Sequence, residues 1–204
     1  MIGKTVLHVG SGRQTIKNMP QGFQDGSWSE LRLDIEPAVE PDIIGSITDM
    51  SAVEEGSVTA LYSSHNIEHV FSYEVVPTLR EFRRVLSDDG FAVITCPDIQ
   101  EVAKHVAAGN LAEPLYHSSM GPITALDIMF GHIGAVQRGE FYMAHRTGFS
   151  LDLLIARLNE AGFASVAGYR VQPFQLWAIA TKSARSQADM LNLVKAYTTK
   201  PARS

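Results

Sequence analysis

The sequence predicts an α/β protein built in three layers on a mostly parallel sheet, and three observations lead there. Near the N-terminus an apolar run, Val6-Leu7-His8-Val9, breaks into the turn Gly10-Ser11-Gly12, and Asp34 closes a second strand-like run about 20 residues on. Strand-like and helix-periodic stretches then alternate through the first half, the pattern of right-handed parallel crossovers. The last third instead carries two β-rich stretches, Phe163 to Val171 and Gln175 to Thr181, joined by Gln172-Pro173-Phe174. They read as a closing hairpin whose last strand inserts antiparallel, completing seven strands.

In order, Lys4 to Val9 is the first strand. Arg13 to Gly26 is polar and interrupted by Pro20 and Gly22, so the first crossover is short or largely loop. Trp28 to Asp34 is the second strand, Pro41 to Ser46 a short third, and Val58 to Ser64 the fourth. Val75, Leu79, Phe82 and Leu86 recur at helical spacing, which predicts a helix over about 73–86 with Glu81, Arg83 and Arg84 facing outward. Phe91 to Cys96 is the fifth strand, stopped by Pro97. Asp98 caps the next helix, with Glu101 completing a capping box and Gly109 ending it. A short helix is expected from Pro122 to before Gly131, then a long glycine-punctuated loop to Gly148. Ser150 caps a helix lined by Leu151, Leu154, Leu158 and Ala161. The reading is a single domain over 1–182, with an insertion or lid at about 97–149, and a tail over 183–204 with helical pattern around Met190 to Tyr197.

Composition sets bounds. At 204 residues the chain can bury a full core, and 45% hydrophobic with 19% charged residues is ordinary for a globular domain. A net charge of −5 argues against general nucleic-acid binding. The lone Cys96 has no internal disulfide partner, no signal-peptide pattern is present and no apolar run reaches membrane-spanning length. The expected location is the cytoplasm, as a monomer or homodimer.

The glycine turn at the carboxyl end of the first strand is where open α/β sheets admit a ligand, and a carboxylate ending the second strand is placed to meet a ribose. Taken with Leu33-Asp34-Ile35, Ser63-Ser64-His65-Asn66-Ile67-Glu68-His69-Val70, the run 79–86, Asp89-Gly90-Phe91 and Leu158 to Phe163, these pieces resemble the class I S-adenosylmethionine-dependent methyltransferases, particularly their small type-11-like group. The resemblance runs from Val6 to about Lys182. It implies the Rossmann-like methyltransferase fold, S-adenosyl-L-methionine as cofactor with S-adenosyl-L-homocysteine as product, and a small-molecule or polymer-linked methyl acceptor. By the same resemblance the backbone of Val9, Gly10, Ser11 and Gly12 lines the methionine part and Asp34 holds the ribose. Ile35 lies against the adenine, Asp49 reaches its amino group and Met50 adds apolar contact. Ser64 and His65 stand beside the sulfonium. The chain departs from the family at His8, where an acid is usual, at Arg13 or Gln14, where a third glycine is common, and near Ala60, where strand four usually opens with Asp.

Each candidate has a plainer role to set beside this one. The glycines also suit a tight turn without a ligand, and Asp49 suits a cap for a short helix near Ser51. His65-x-x-Glu68-His69 matches the inverted zinc-peptidase string, but it follows directly on a parallel strand, and no metal is expected. His65 is the first candidate base and His145 the second. His132, Tyr142, His145 and Arg146 belong to the insertion, which leaves a parallel strand's carboxyl end and so lies over the crevice as lid and substrate selector. His145 and Arg146 equally suit tying that lid to the sheet. A methyltransferase-like module without activity and a nicotinamide-dependent enzyme are the alternatives to methyl transfer.

Overall fold

The computed structural model describes residues 3–118 and 121–198. The chain first lays down β1 (Lys4–Val9), β2 (Trp28–Asp34), β3 (Ile43–Ile44), β4 (Val58–Ser64) and β5 (Leu86–Pro97). Later come β6 (Pro114–Ser118), β7 (Gly121–Thr124), β8 (Ser165–Val171) and β9 (Gln175–Thr181). The helices are α1 (Val75–Val85), α2 (Ile99–Ala107), α3 (Ala125–Phe130), α4 (Ile133–Gln137), α5 (Leu151–Glu160) and α6 (Gln187–Tyr197). Seven strands form one sheet in the order β3-β2-β1-β4-β5-β9-β8. The first five are parallel to their neighbours, and β9 runs antiparallel between β5 and β8. This is the mostly parallel seven-stranded sheet with a closing hairpin.

Strand periodicity divides the core. Leu7, Val9, Leu61 and Ile94 face the layer of α1 and α5, where Leu79, Phe82, Leu154 and Leu158 are fully buried. Val6, Tyr62 and Val93 face the opposite side. There the first crossover supplies only two 3-10 turns, Ile16–Asn18 and Gln21–Phe23, and buries Met19 and Phe23. Helix α6 completes this layer: the Tyr197 ring lies 4.7 Å from Phe23 and 4.6 Å from Phe91. Gly22 permits the approach, because a Cβ there would meet the Ala196 carbonyl oxygen at 2.5 Å. The helical pattern of the tail therefore packs on the body; residues 199–204 lie outside the described residues.

Several local expectations change. Pro122 does not start a helix but sits in β7, paired with His117 of β6; its fixed φ suits a strand edge as well as a first helical turn. The helix begins after Thr124, whose hydroxyl and the Asp127 carboxylate cap each other's backbone amides. Asp98 accepts from Gln100 N and Glu101 N, but Glu101 turns outward to Lys104 at 2.7 Å and leaves the box incomplete. The third strand shrinks to two residues, and no helix forms at Ser51. The long 131–148 segment holds α4 and a 3-10 turn, Phe141–Met143.

The arginines expected to face solvent from α1 clamp neighbouring loops instead. Arg83 donates to the Gly162 carbonyl at 2.8 Å. Arg84 donates to the carbonyls of Met50 and Val53 at 2.8 and 2.9 Å while Glu81 grips its guanidinium, which holds Glu81 below the usual carboxylate range. Replacing Arg84 by Ala frees the 50–53 loop. Because the group is partly exposed, the expected loss is about 1–2 kcal/mol, seen as a lower urea midpoint at unchanged slope.

Candidate functional site

Above the carboxyl ends of β1, β2 and β4 lies a cavity of about 450 Å³, within the size range of ligand pockets. The glycine turn forms its floor. Gly10 has φ +59°, donates its amide to the Leu33 carbonyl at 2.8 Å, and has no room for a Cβ because the Asn66 side chain occupies that space. Gly12, at φ +53°, donates to Asp34 Oδ2 at 2.7 Å, and Glu36 N donates to Oδ1 at 2.9 Å. Two backbone amides thus aim the buried Asp34 carboxylate at the cavity. Arg32 locks the arrangement from behind, binding the Gly12 carbonyl and, at 3.0 Å each, those of Val39 and Glu40.

Ile35 lies on the cavity wall and is 52% exposed, an apolar platform left uncovered by the protein. Ser11 and Ser64 also line the cavity, and Ser64 Oγ accepts from Thr95 Oγ1 at 3.1 Å. Asn66 Nδ2 is buried with no protein acceptor and sits on the same wall. These features fit a nucleoside: a fixed carboxylate for sugar hydroxyls and an apolar face for a base.

Three expected contacts fall elsewhere. Val9 is fully buried in the core layer and does not line the cavity. Asp49 turns its carboxylate to Ser51 N at 3.1 Å, and Met50 is buried in the core. The tight turn that joins Asp49 N to the Ser46 carbonyl presents Ile47 and Thr48 to the cavity instead. His8, the departure in the first strand, has Nδ1 at 2.8 Å from Glu30 Oε1 on β2; the other carboxylate oxygen accepts from Ile16 N at 2.8 Å. Glu30 itself does not line the cavity, so this pair positions His8, which does. Sequence reasoning missed Glu30, Arg32, Glu36 and Asn66; strand alternation beside the glycine turn was the available signal for the first two.

The 131–148 segment, the expected lid, contributes Glu140, Tyr142, Met143 and Arg146 to the wall of this cavity. Tyr142 donates its hydroxyl to Glu36 Oε2 at 3.0 Å, and burial, then the Glu36 carboxylate, push its pKa up to about 12. Arg146 and Thr147 anchor the lid through their amides to the Glu68 carbonyl, and the Arg146 guanidinium rests 4.8 Å over the Phe71 ring. A second cavity of about 160 Å³ opens between lid and sheet, walled by Tyr116, Ile128, His132 and Phe174. His132 caps α4 by accepting from Ala135 N at 3.2 Å.

His65, His69 and Met143 border both cavities. His65 follows β4 at φ +52°, a conformation L residues rarely adopt, and its Nδ1 is 3.5 Å from Glu68 Oε1. Glu68 is buried. Burial alone would raise its pKa, but His65, His69 and His145 outweigh it and hold the carboxyl below the usual range. His145 is anchored by Nδ1 to the Ile128 carbonyl at 2.7 Å, and burial lowers its pKa. The 65–69 string lies across a 3-10 turn, Ile67–His69, so its two histidines are not paired on an α-helical face.

A Tyr142→Phe variant tests the latch. Loss of a bond of about 1 kcal/mol should raise the open population about fivefold, read as faster proteolysis or amide exchange within 131–148.

Residues 24–94 match a family model described as a methyltransferase domain. A comparison with curated proteins found no match. Among solved structures, a Pyrococcus horikoshii protein superposes with TM-score 0.59 at 13% identity, covering 88% of this chain and 82% of its own. The Burkholderia thailandensis 1,6-didemethyltoxoflavin-N1-methyltransferase, solved with 1,6-didemethyltoxoflavin and S-adenosylhomocysteine, gives 0.56 at 15% identity over 89% and 72%. A Thermotoga maritima S-adenosylmethionine-dependent methyltransferase gives 0.53 at 13% over 90% and 84%. At these identities the likeness is one of fold.

Proposed function

We propose that this chain, a class I S-adenosylmethionine-dependent methyltransferase by fold and by its 24–94 segment, transfers a methyl group to an oxygen or nitrogen of a small-molecule or polymer-linked acceptor. The observation that carries the reading is the Asp34 carboxylate, aimed into the large cavity by the amides of Gly12 and Glu36 and faced by the uncovered Ile35. Asp34 holds the ribose of S-adenosyl-L-methionine, and Ile35 packs on the adenine. Gly10, Ser11 and Gly12 bring backbone close to the methionine part.

When bound, the cofactor supplies a methyl already activated on a sulfonium, so the protein's task is alignment and exclusion of water. The lid performs the second through the Tyr142–Glu36 latch. The second cavity takes the acceptor, and His65, bordering both spaces with Ser64 beside it, stands where the nucleophile meets the methyl. Its Nδ1 faces Glu68, leaving Nε2 to take the acceptor's proton; His145 is the second candidate for that role. His132 and Arg146 shape the acceptor and lid sides. No helix among the described residues is long and apolar enough to cross a membrane, and the buried thiol of Cys96 suits a cytoplasmic setting.

Calorimetry with S-adenosyl-L-methionine and S-adenosyl-L-homocysteine tests the cofactor reading. Saturable binding that Asp34→Ala abolishes is expected; no binding at millimolar ligand leaves a methyltransferase-like partner module. His65→Gly separates strain from chemistry. Relief of the left-handed conformation should stabilise the fold by about 1 kcal/mol, while loss of the base lowers turnover about 10²–10⁴-fold.

A further inference from the structure

Where the two cavities meet, three donor atoms converge from distant parts of the chain. Glu68 and His69 belong to the 3-10 turn after β4, and His145 comes from the lid. One ligand atom of each lies within 4.8 Å of the others. His69 Nδ1 is 3.2 Å from the Ala144 carbonyl and His145 Nδ1 is 2.7 Å from that of Ile128. A carbonyl only accepts, so each Nδ1 carries the proton and each Nε2 keeps its lone pair. Backbone carbonyls fix the tautomer of metal-ligating histidines in this way.

Glu68 is the independent observation. Its side chain is 1% exposed, and neither carboxylate oxygen has a hydrogen-bond partner. The nearest ring nitrogen, His65 Nδ1 at 3.5 Å, is too distant for a good bond. A buried carboxylate without donors calls for an explanation, and a cation on its open side supplies one.

We propose that Glu68, His69 and His145 bind one divalent transition-metal ion. Two imidazole nitrogens and one carboxylate oxygen suit zinc or ferrous iron and not the all-oxygen shells of magnesium or calcium. Zinc ligands stand about 2.0–2.2 Å from the ion, so the three atoms draw together by side-chain rotation as it enters. Three protein ligands leave a position open toward the second cavity, where an oxygen or nitrogen of a bound molecule completes the shell. This differs from the zinc-peptidase string, in which His65 and His69 would ligate and Glu68 would act as base. It also replaces the expectation of no metal. With the ion bound, His145 Nε2 is a ligand and His65 alone is left as the base of the methyl-transfer reading; the ion site itself is tested with metal alone.

The test uses the full chain, stripped with chelator and titrated with zinc chloride by calorimetry, with metal content measured after dialysis. One zinc per chain is expected. Glu68→Gln and His145→Ala should each weaken it by at least about 10–100-fold, the loss that outer partners alone cause. His117→Ala, an exposed histidine on β6 outside both cavities, should leave it unchanged. If Glu68→Gln does not fold, His145→Ala and the visible spectrum of the cobalt-loaded wild type decide, with nitrogen-rich four- or five-coordinate bands expected. No stoichiometric uptake by the wild type overturns the proposal, and so does unchanged affinity in the Glu68 and His145 variants.

Discussion

The Asp34 carboxylate, held between the amides of Gly12 and Glu36, is the contact on which the rest of the site depends. It joins the end of β2 to the glycine turn that ends β1, so one side chain sets both the floor and the rim of the large cavity. Neither amide belongs to a strand ladder, and a buried amide without an acceptor is costly, so the carboxylate has a structural role of its own at this junction. Arg32 reinforces the same junction through three carbonyls. The Glu30 carboxylate does comparable work one layer below, joining His8 to the loop at Ile16. The turn is thus braced by charged side chains from β2, while β1 buries Val6, Leu7 and Val9 with His8 as its one buried polar side chain, as a central strand covered on both faces allows when that group is paired.

The lid depends on this frame. Its latch closes on Glu36, two residues beyond Asp34, and its anchor is the backbone carbonyl of Glu68 in the 3-10 turn after β4. One element therefore senses both rims of the cavity. His145 is held beside Glu68 and His69 by its own bonds to Phe130 and Ile128 and by the amides of Arg146 and Thr147 on the Glu68 carbonyl, so the histidine–carboxylate cluster and the seating of the 131–148 segment are parts of one arrangement.

The sheet was legible because its signals are local. Apolar runs such as Val6 to Val9 and Phe91 to Cys96 can only be buried strands in an α/β alternation, and Gln172-Pro173-Phe174 separates two β-rich runs short enough to pair. Gly10, Gly12, Asp34 and Ile35 were legible for the same reason: the glycine turn and the acidic strand end carry their own spacing. Asp49 and Met50 do not line the cavity, because a single turn decides whether a side chain faces cavity or core and the Asp49 carboxylate is taken by Ser51 N. Pro122 was misread because its ring fits two kinds of element start. The pairings of Tyr142 with Glu36 and of His145 with Glu68 join residues from opposite ends of the chain's middle, and nothing short-range encodes them.

The aromatic side of the sheet has a consequence for how the chain is made. Phe23, Trp28 and Phe91 are laid down early, yet the layer that shelters them is finished by Met190 and Tyr197 of α6. On the ribosome this greasy surface stays open until α6 has emerged, long after the strands it covers, and nascent chains in that condition are the natural clients of holding chaperones.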